Sequence, residues 1–330
     1  MEQIDILAIG DITTDCFIRL KDAEVHCDID KENCKLCVNF GDKVPYESVT
    51  IVEAVGNSAN ASVSSSRLGL SSALLAYIGN DQNGQDDLEA LKKNNVSTKY
   101  VRTEDGKHTN YHYVLWYDVD RTILVKQEKF TYSLGDVSVP KWIYLSSLGE
   151  DSLDFHKQIA DFVEKNTEVK LAFQPGTFQM KMGIDSLSTI YKNTEAFFCN
   201  VEEAQRILQE KSRDLPTLLK RVASFGPKIV VITDGYAGAY AYDTRTDQMY
   251  FMPIYPHTPF ERTGAGDAFS STIVSALAFG KTLEEALLWA PINSMSVTQF
   301  VGAQEGLLTR EKIKEYLAKA PTDYKPKKIN

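Results

Sequence analysis

Apolar and polar positions along the 330-residue chain alternate between two periods. Residues 3–10, Gln-Ile-Asp-Ile-Leu-Ala-Ile-Gly, form a short apolar run ending in glycine, which suits a buried central strand. Residues 72–78 repeat the pattern before Gly79-Asn80-Asp81, and a helix is expected over about 84–94. From residue 140 the rhythm becomes regular, with strands expected near 142–146, 169–173, 196–199, 228–233, 237–243 and 248–254. Helices are expected near 151–165, 179–191, 201–209, 213–225, 264–279, 282–300 and 309–318. Strands alternating with helices imply a largely parallel sheet covered on both faces, an α/β fold.

Two stretches break the rhythm. Residues 21–50 are polar and poorly periodic, a protruding loop with short strands near 36–41 and 48–53. Residues 108–133 are aromatic and β-branched, with strands over 111–117 and 122–126 joined by a turn at 118–121, the pattern of a hairpin. Lid segments of about 13–53 and 108–133 are therefore expected to pair as a small sheet over a ligand crevice, within a single domain spanning 1–330. The Lys- and Pro-rich residues 322–330 read as a loose tail.

Composition narrows the function. Hydrophobic content of 43% with 25% charged residues is ordinary for a globular chain with a sizeable core. A formal charge of −9 argues against a nucleic-acid or acidic-membrane surface. No apolar run is long enough for a membrane span and residues 1–10 lack a basic leader, so a cytoplasmic protein is expected. Four of the five cysteines lie in the first 37 residues. His26, Cys27, Cys34 and Cys37 offer soft ligands for a structural zinc, although the spacing matches no usual pair of knuckles; the other reading is reduced thiols in a lid insertion.

Candidate chemistry centres on Glu261-Arg262-Thr263-Gly264-Ala265-Gly266-Asp267, which runs straight into an apolar helical pattern. A glycine-rich turn opening a helix leaves backbone N–H groups unpaired at the positive end of its dipole, a ready-made anion site. An acid in that first turn repels the anion unless it takes a proton from whatever attacks it. With Asp267 as base and the Gly264, Ala265 and Gly266 amides as a stabilising hole, the pattern reads as phosphoryl transfer.

The other motifs are individually weaker. Asp11 and Asp15 follow the first strand, where open α/β sheets bind ligands, but either alone also suits a turn. Gly56-Asn57-Ser58-Ala59-Asn60 opens a helix that Gly69 ends, with Asn57 and Asn60 three apart on one face. Asn200 and Glu203 form a capping box in one reading and face hydrated Mg²⁺ and nucleotide phosphates in the other. Thr233, Gly235 and Gly238 sit in a strand–turn–strand that a hairpin explains, and that also lets a phosphate approach the backbone. Asn293 lies inside an apolar helix, either facing solvent or acting as a polar handle in an adenine pocket.

In this order, the motifs resemble those of the ribokinase-like, or PfkB, carbohydrate kinases over residues 4–318. Residues 261–267 match D-T-x-G-A-G-D, 55–60 with Arg67-Leu68-Gly69 resemble G-G-x-x-A-N…R-L-G, and 200–203 match N-x-x-E. Residues 233–238 match T-x-G-x-x-G, and Asn293 with Gly302-Ala303 matches the N…G-A segment. The resemblance implies a three-layer α/β/α sandwich with a β-sheet lid that closes over a sugar and excludes water. It implies ATP as co-substrate, Mg²⁺ held through water by Glu203, and γ-phosphoryl transfer to a substrate hydroxyl, with Asp267 as base and 264–266 as the anion hole. Asn200, Glu203, Thr233, Gly235, Gly238 and Asn293 would serve the nucleotide; Asp11, Asp15, Gly56, Asn57 and Asn60 would hold the substrate. A homodimer through the lid edge is plausible, because an exposed sheet edge needs covering.

The chain departs from the family at four places. Glu261-Arg262 replaces the usual Asp-Thr, a stretch that contributes to a monovalent-cation site in ribokinases, so potassium activation is not carried over; Arg262 supplies either a fixed charge or a structural salt bridge. Thr13 replaces a common asparagine, Phe173-Gln174-Pro175-Gly176 replaces an acidic Asp-Pro-Asn-like stretch, and the lid carries the Cys-rich insertion. Tyr111, Tyr113, Trp116 and Tyr117 suit either packing or stacking on a base, leaving sugar and nucleoside substrates both open. A catalytically silent regulator is the rival class, which retained Asp267 and Glu203 argue against; an NAD-linked oxidoreductase lacks its glycine fingerprint.

Overall fold

The run Ile-Leu-Ala-Ile at residues 6–9 divides its side chains between two cores, Ile6 and Ala8 in one, Leu7 and Ile9 in the other. A strand buried on both faces needs helices on both sides, and that layering extends through the molecule. The computed structural model describes residues 3–27, 34–118 and 120–329. In chain order the strands are β1 (Ile6–Ile9), β2 (Thr13–Leu20), β3 (Glu24–His26), β4 (Lys35–Cys37), β5 (Tyr46–Val55), β6 (Ser72–Gly79), β7 (Ser97–Glu104) and β8 (Asn110–Tyr117). They continue as β9 (Asp120–Leu124), β10 (Trp142–Leu145), β11 (Lys170–Phe173), β12 (Thr194–Asn200), β13 (Ile229–Thr233), β14 (Ala239–Asp243), β15 (Gln248–Met252) and β16 (Lys327–Ile329). The helices are α1 (Asn57–Arg67), α2 (Gln82–Lys93), α3 (Leu153–Lys165), α4 (Thr177–Ser186), α5 (Ser188–Asn193), α6 (Val201–Leu208), α7 (Leu215–Ala223), α8 (Ala265–Ala278), α9 (Leu283–Val297) and α10 (Arg310–Ala318).

The main sheet has ten strands in the order β16-β15-β14-β13-β12-β11-β10-β1-β6-β7. Pairing is parallel from β7 to β13 and antiparallel from β13 to β16. Residues of α1, α8 and α9 fill the core on one face, and residues of α3, α6 and α7 fill it on the other, giving three layers. The chain steps one way from β1 to β6 and returns on the other side at β10, which opens a crevice at the carboxyl ends of β1 and β10. Small residues let α1, α8 and α9 approach closely, and buried hydroxyls join them: Ser271 donates to Ser64 at 2.8 Å, and Ser65 and Ser275 lie 3.0 Å apart.

The lid is a four-stranded sheet, β5-β2-β8-β9, and its spine is β2, which pattern reading left unassigned. β2 pairs antiparallel with β5 and parallel with β8. Buried Asp87 on α2 ties the lid to the body, accepting from the Ala54 amide at 2.6 Å and the Thr14 hydroxyl at 3.0 Å. The strand expected at 36–41 is β4, paired with β3 in a separate ribbon. A disulfide links Cys27 to Cys34 beyond that ribbon, correcting the zinc reading and, for these two cysteines, the reduced-thiol reading; Cys37 is a free thiol. Residues 28–33 of that insertion lie outside the described residues.

Two further expectations change. The helix over 179–191 is two helices, α4 and α5, which meet at Leu187, and α4 is itself kinked at Gly183, where φ is 79°. The tail is not loose over its described residues: β16 pairs with the edge strand β15, and Tyr324 is buried, donating to the Leu288 carbonyl at 2.8 Å. Among the described residues no helix is long and apolar enough to cross a membrane.

Candidate active site

Helix α8 starts at Gly264, the N-cap, whose φ of 79° lies where side chains rarely go. A Cβ there would also collide with Ala303, so glycine is required on both counts. The first-turn amides have no i−4 carbonyl within the helix. Ala265 leans 3.4 Å toward the Arg262 carbonyl, while Gly266 stands exposed on the cleft. Gly264, Ala265, Gly266 and Asp267 thus line the cleft together.

Asp267 is only 8% exposed, yet its carboxylate is well supplied with donors. Oδ1 accepts from Asn57 Nδ2 at 2.7 Å and Gln174 Nε2 at 2.9 Å, and Oδ2 accepts from Asn60 Nδ2 at 2.7 Å. Spacing i, i+3 on α1 puts both asparagines on the face that meets α8. They line the cleft, and as arranged here both amides donate to the acid. Gln174 follows β11, and its Oε1 accepts from Tyr144 and, at 3.2 Å, from Ser270. Those hydroxyls fix the amide so that Nε2 faces Asp267. Burial, reinforced by the Asp267 charge, pushes the Tyr144 phenol well above its usual range, so it remains a donor. Gln174 appeared in the sequence only as a departure from a motif.

On the lid side the cleft has a volume of about 440 Å³. Asp11, just past β1, accepts from Tyr132 Oη at 2.8 Å and Gln127 Nε2 at 2.6 Å. Burial pushes its carboxyl up to about 7 despite those donors. Asp15 and His112, on paired lid strands, approach to 3.5 Å; Asp15 Oδ1 and His112 Nε2 are buried without hydrogen-bond partners. Gly56, with φ 110°, passes so close to Asp11 that a Cβ would lie 2.7 Å from its carbonyl oxygen. None of Tyr111, Tyr113, Trp116 and Tyr117 lines the cleft. Trp116 packs edge-on against Phe260 and beneath Arg19, and Tyr113 is exposed.

A second, more apolar cavity of about 180 Å³ lies beyond α8, between the β13–β14 turn and α9. Thr233, Gly235 and Gly238 line it, and Thr233 also faces the cleft. Gly238 has φ 104°, and a Cβ there would meet the Met252 carbonyl at 2.5 Å. Asn293 does not line it. Fully buried, Asn293 donates to Thr272 at 2.8 Å and accepts from the Leu308 amide at 2.9 Å, stitching α9 to α8 and to the segment before α10. Its neighbours Pro291, Ser294 and Met295 reach the cavity instead.

Asn200 and Glu203 line the cleft opposite Asp267 and also form the capping box of α6, with bonds of 2.8 and 2.9 Å. Burial raises the Glu203 carboxyl above its usual range, and the nearby Asp267 charge adds to the rise. Buried Glu261 accepts from the Thr263 amide and hydroxyl at 2.8 and 2.7 Å and from the Gly302 amide at 3.3 Å. The lid's Arg121 approaches it to 3.9 Å. Glu261 therefore braces the loop leading into α8.

The model of the pfkB family carbohydrate kinases matches residues 22–310. The chain belongs to that family. A sugar kinase of Archaeoglobus fulgidus is 27% identical over 252 residues, covering 73% of this chain and 97% of that protein. The ribokinase of Bacillus subtilis is 26% identical over 275 residues, covering 80% and 87%. Among solved structures, Arabidopsis thaliana ribokinase complexed with ribose and ATP superposes with a TM-score of 0.79 at 18% identity, covering 96% of this chain and 99% of that one. The nucleoside kinase of Methanocaldococcus jannaschii, described as an archaeal member of the ribokinase family, gives 0.76 at 17%, covering 97% and 100%. The architecture is thus the ribokinase fold, and the chain is a pfkB-family carbohydrate kinase.

Proposed function

We propose that this kinase transfers the γ-phosphoryl group of ATP to a hydroxyl of a sugar, of the ribose, fructose or keto-sugar-acid class, with the whole chain acting as one domain beneath its lid. The observation that carries the proposal is Asp267: a carboxylate fixed by three amides, in the first turn of α8, where a polar cleft meets a second cavity. The substrate hydroxyl would lie against Asp267, which accepts its proton as the new O–P bond forms. The β,γ-bridging O–P bond breaks, its electron pair leaves on ADP, and the 264–266 amides take up charge on the transferred group. Such catalysis is mainly positioning and electrostatics.

Asp11 and Asp15 would accept from sugar hydroxyls, and Thr233, Gly235 and Gly238 would border the nucleotide. Among the described residues no group of three or more His, Cys, Asp or Glu side chains is arranged to hold a metal. One carboxylate beside phosphate oxygens nevertheless suits hydrated Mg²⁺, which usually keeps several waters. Glu203 fits that role, since the capping box uses only Oε2. Bound there, Mg²⁺ would neutralise charge on the phosphates.

The acceptor cleft supports a sugar over a nucleoside, because none of the lid aromatics lines it as a stacking platform. Exposed Val49, Ile51, Tyr113 and Leu124 on the lid sheet support a second copy covering it, which light scattering after gel filtration tests. ADP release with ribose, fructose, 2-keto-3-deoxygluconate and adenosine tests the substrate. Adenosine as the one active acceptor overturns the sugar assignment, and no acceptor-dependent release with any of them favours a silent regulator.

A further inference from the structure

Five residues border both cavities: Thr233, Arg262, Ala265, Gly266 and Phe269. Arg262 is the only one that carries a charge. It occupies the place where the family motif has threonine, directly before the loop that opens α8. Its guanidinium stacks over Tyr236, with Cζ 4.8 Å from the ring centroid, and Nη2 donates to Tyr236 Oη at 2.7 Å. Nε is buried without a hydrogen-bond partner.

The salt-bridge reading of Arg262 fails on geometry. Among the described residues Arg262 forms no ion pair, and the adjacent Glu261 turns to Thr263, Gly302 and Arg121 instead. The surrounding walls carry Asp11, Asp15, Glu203 and Asp267, an acidic setting for a polyanion. A half-buried guanidinium with no carboxylate partner and an unsatisfied N–H is well suited to an anionic ligand, and a fork of N–H donors matches phosphate oxygens.

We propose that Arg262 is a phosphate ligand on the path between the two cavities, contacting the β- and γ-phosphates of the nucleotide and offsetting the charge that develops when the bridging O–P bond breaks. Tyr236 holds the side chain in a ready orientation. The proposal rests on the ATP-kinase reading above, and it gives this chain a fixed cation in the stretch where ribokinases build part of a monovalent-cation site. Bond making and breaking proceed as already described; Arg262 adds charge and exchanges no proton.

The test compares wild type with Arg262→Ala, Arg262→Gln and Arg262→Lys, each checked for an unchanged melting temperature. Binding of ATP, ADP and adenosine is measured by calorimetry, and turnover is measured with the acceptor chosen from the panel. Arg262→Ala is expected to weaken ATP and ADP binding at least tenfold, leave adenosine binding within about twofold, and lower kcat by about 10²-fold or more. Added guanidinium ion should restore part of that turnover in Arg262→Ala but none in Asp267→Asn. Arg262→Lys should retain more activity than Arg262→Gln. Should the alanine variant fail to fold, the lysine and glutamine variants carry the comparison. Unchanged ATP binding and turnover in a folded variant, or equal loss of adenosine and ATP binding, overturns the proposal. Wild type that binds no ATP overturns the kinase reading itself.

Discussion

Replacing Gln174 with alanine removes one of the three amide donors on Asp267 while leaving both asparagines in place. The damage is local, since Tyr144 keeps Ser270 at 2.6 Å and Ser270 keeps the Gly266 carbonyl at 2.8 Å. A hydrogen bond to a charged group contributes about 1.5–3 kcal/mol. At about 1.4 kcal/mol per factor of ten, that bounds the loss at roughly 10- to 150-fold in kcat. ATP affinity should barely change, because Gln174 borders the acceptor side of the site and not the second cavity. Coupled ADP-release kinetics at saturating acceptor, with calorimetric ATP binding alongside, separate these effects. Gln174→Glu should fall at least as far, since a second carboxylate about 3 Å from Asp267 repels the first. A folded Gln174→Ala enzyme with kcat within twofold of wild type would refute the positioning role.

Two other measurements probe the surroundings. Burial holds the Asp11 carboxyl near 7, so Asp11 takes up a proton as the pH falls through that value and its acceptor strength toward a sugar hydroxyl is lost. The acidic limb of kcat/KM for the sugar should therefore fall roughly tenfold per pH unit below about 7, and Asp11→Asn should lack that limb; an identical limb in the variant counts against the assignment. Asn293→Ala should lower the melting temperature by a few degrees, since it strands the Leu308 amide at about 1–3 kcal/mol while the Thr272 hydroxyl keeps the Ala268 carbonyl, with ATP affinity unchanged. Weaker ATP binding without a change in melting temperature would return Asn293 to the nucleotide site.

The parallel core was legible because its strands are buried on both faces and read as uninterrupted apolar runs, as at residues 6–9 and 72–78. The loop opening α8 was legible for a local reason: Gly264 needs both its positive φ and the absence of a Cβ beside Ala303. Long-range contacts escaped notice. β2 and β7 mix polar and apolar residues, and only their sheet partners give them strand structure. A lone asparagine in an apolar helix looks alike whether it meets a ligand or a neighbouring helix, so the bonds of Asn293 to Thr272 and Leu308 were not legible. Gln174 lies 93 residues from Asp267, and no periodicity connects them. The tail misled because lysine and proline describe solvent exposure well, while a single edge-strand pairing and one buried tyrosine suffice to dock it.

The proposed mechanism turns on Asp267. Steady-state turnover and calorimetric ATP binding of Asp267→Asn, measured on the same folded sample, address it most directly. Loss of a general base predicts kcat lower by about 10²–10⁴-fold with ATP affinity within a few-fold of wild type. Turnover near the wild-type rate would contradict the mechanism.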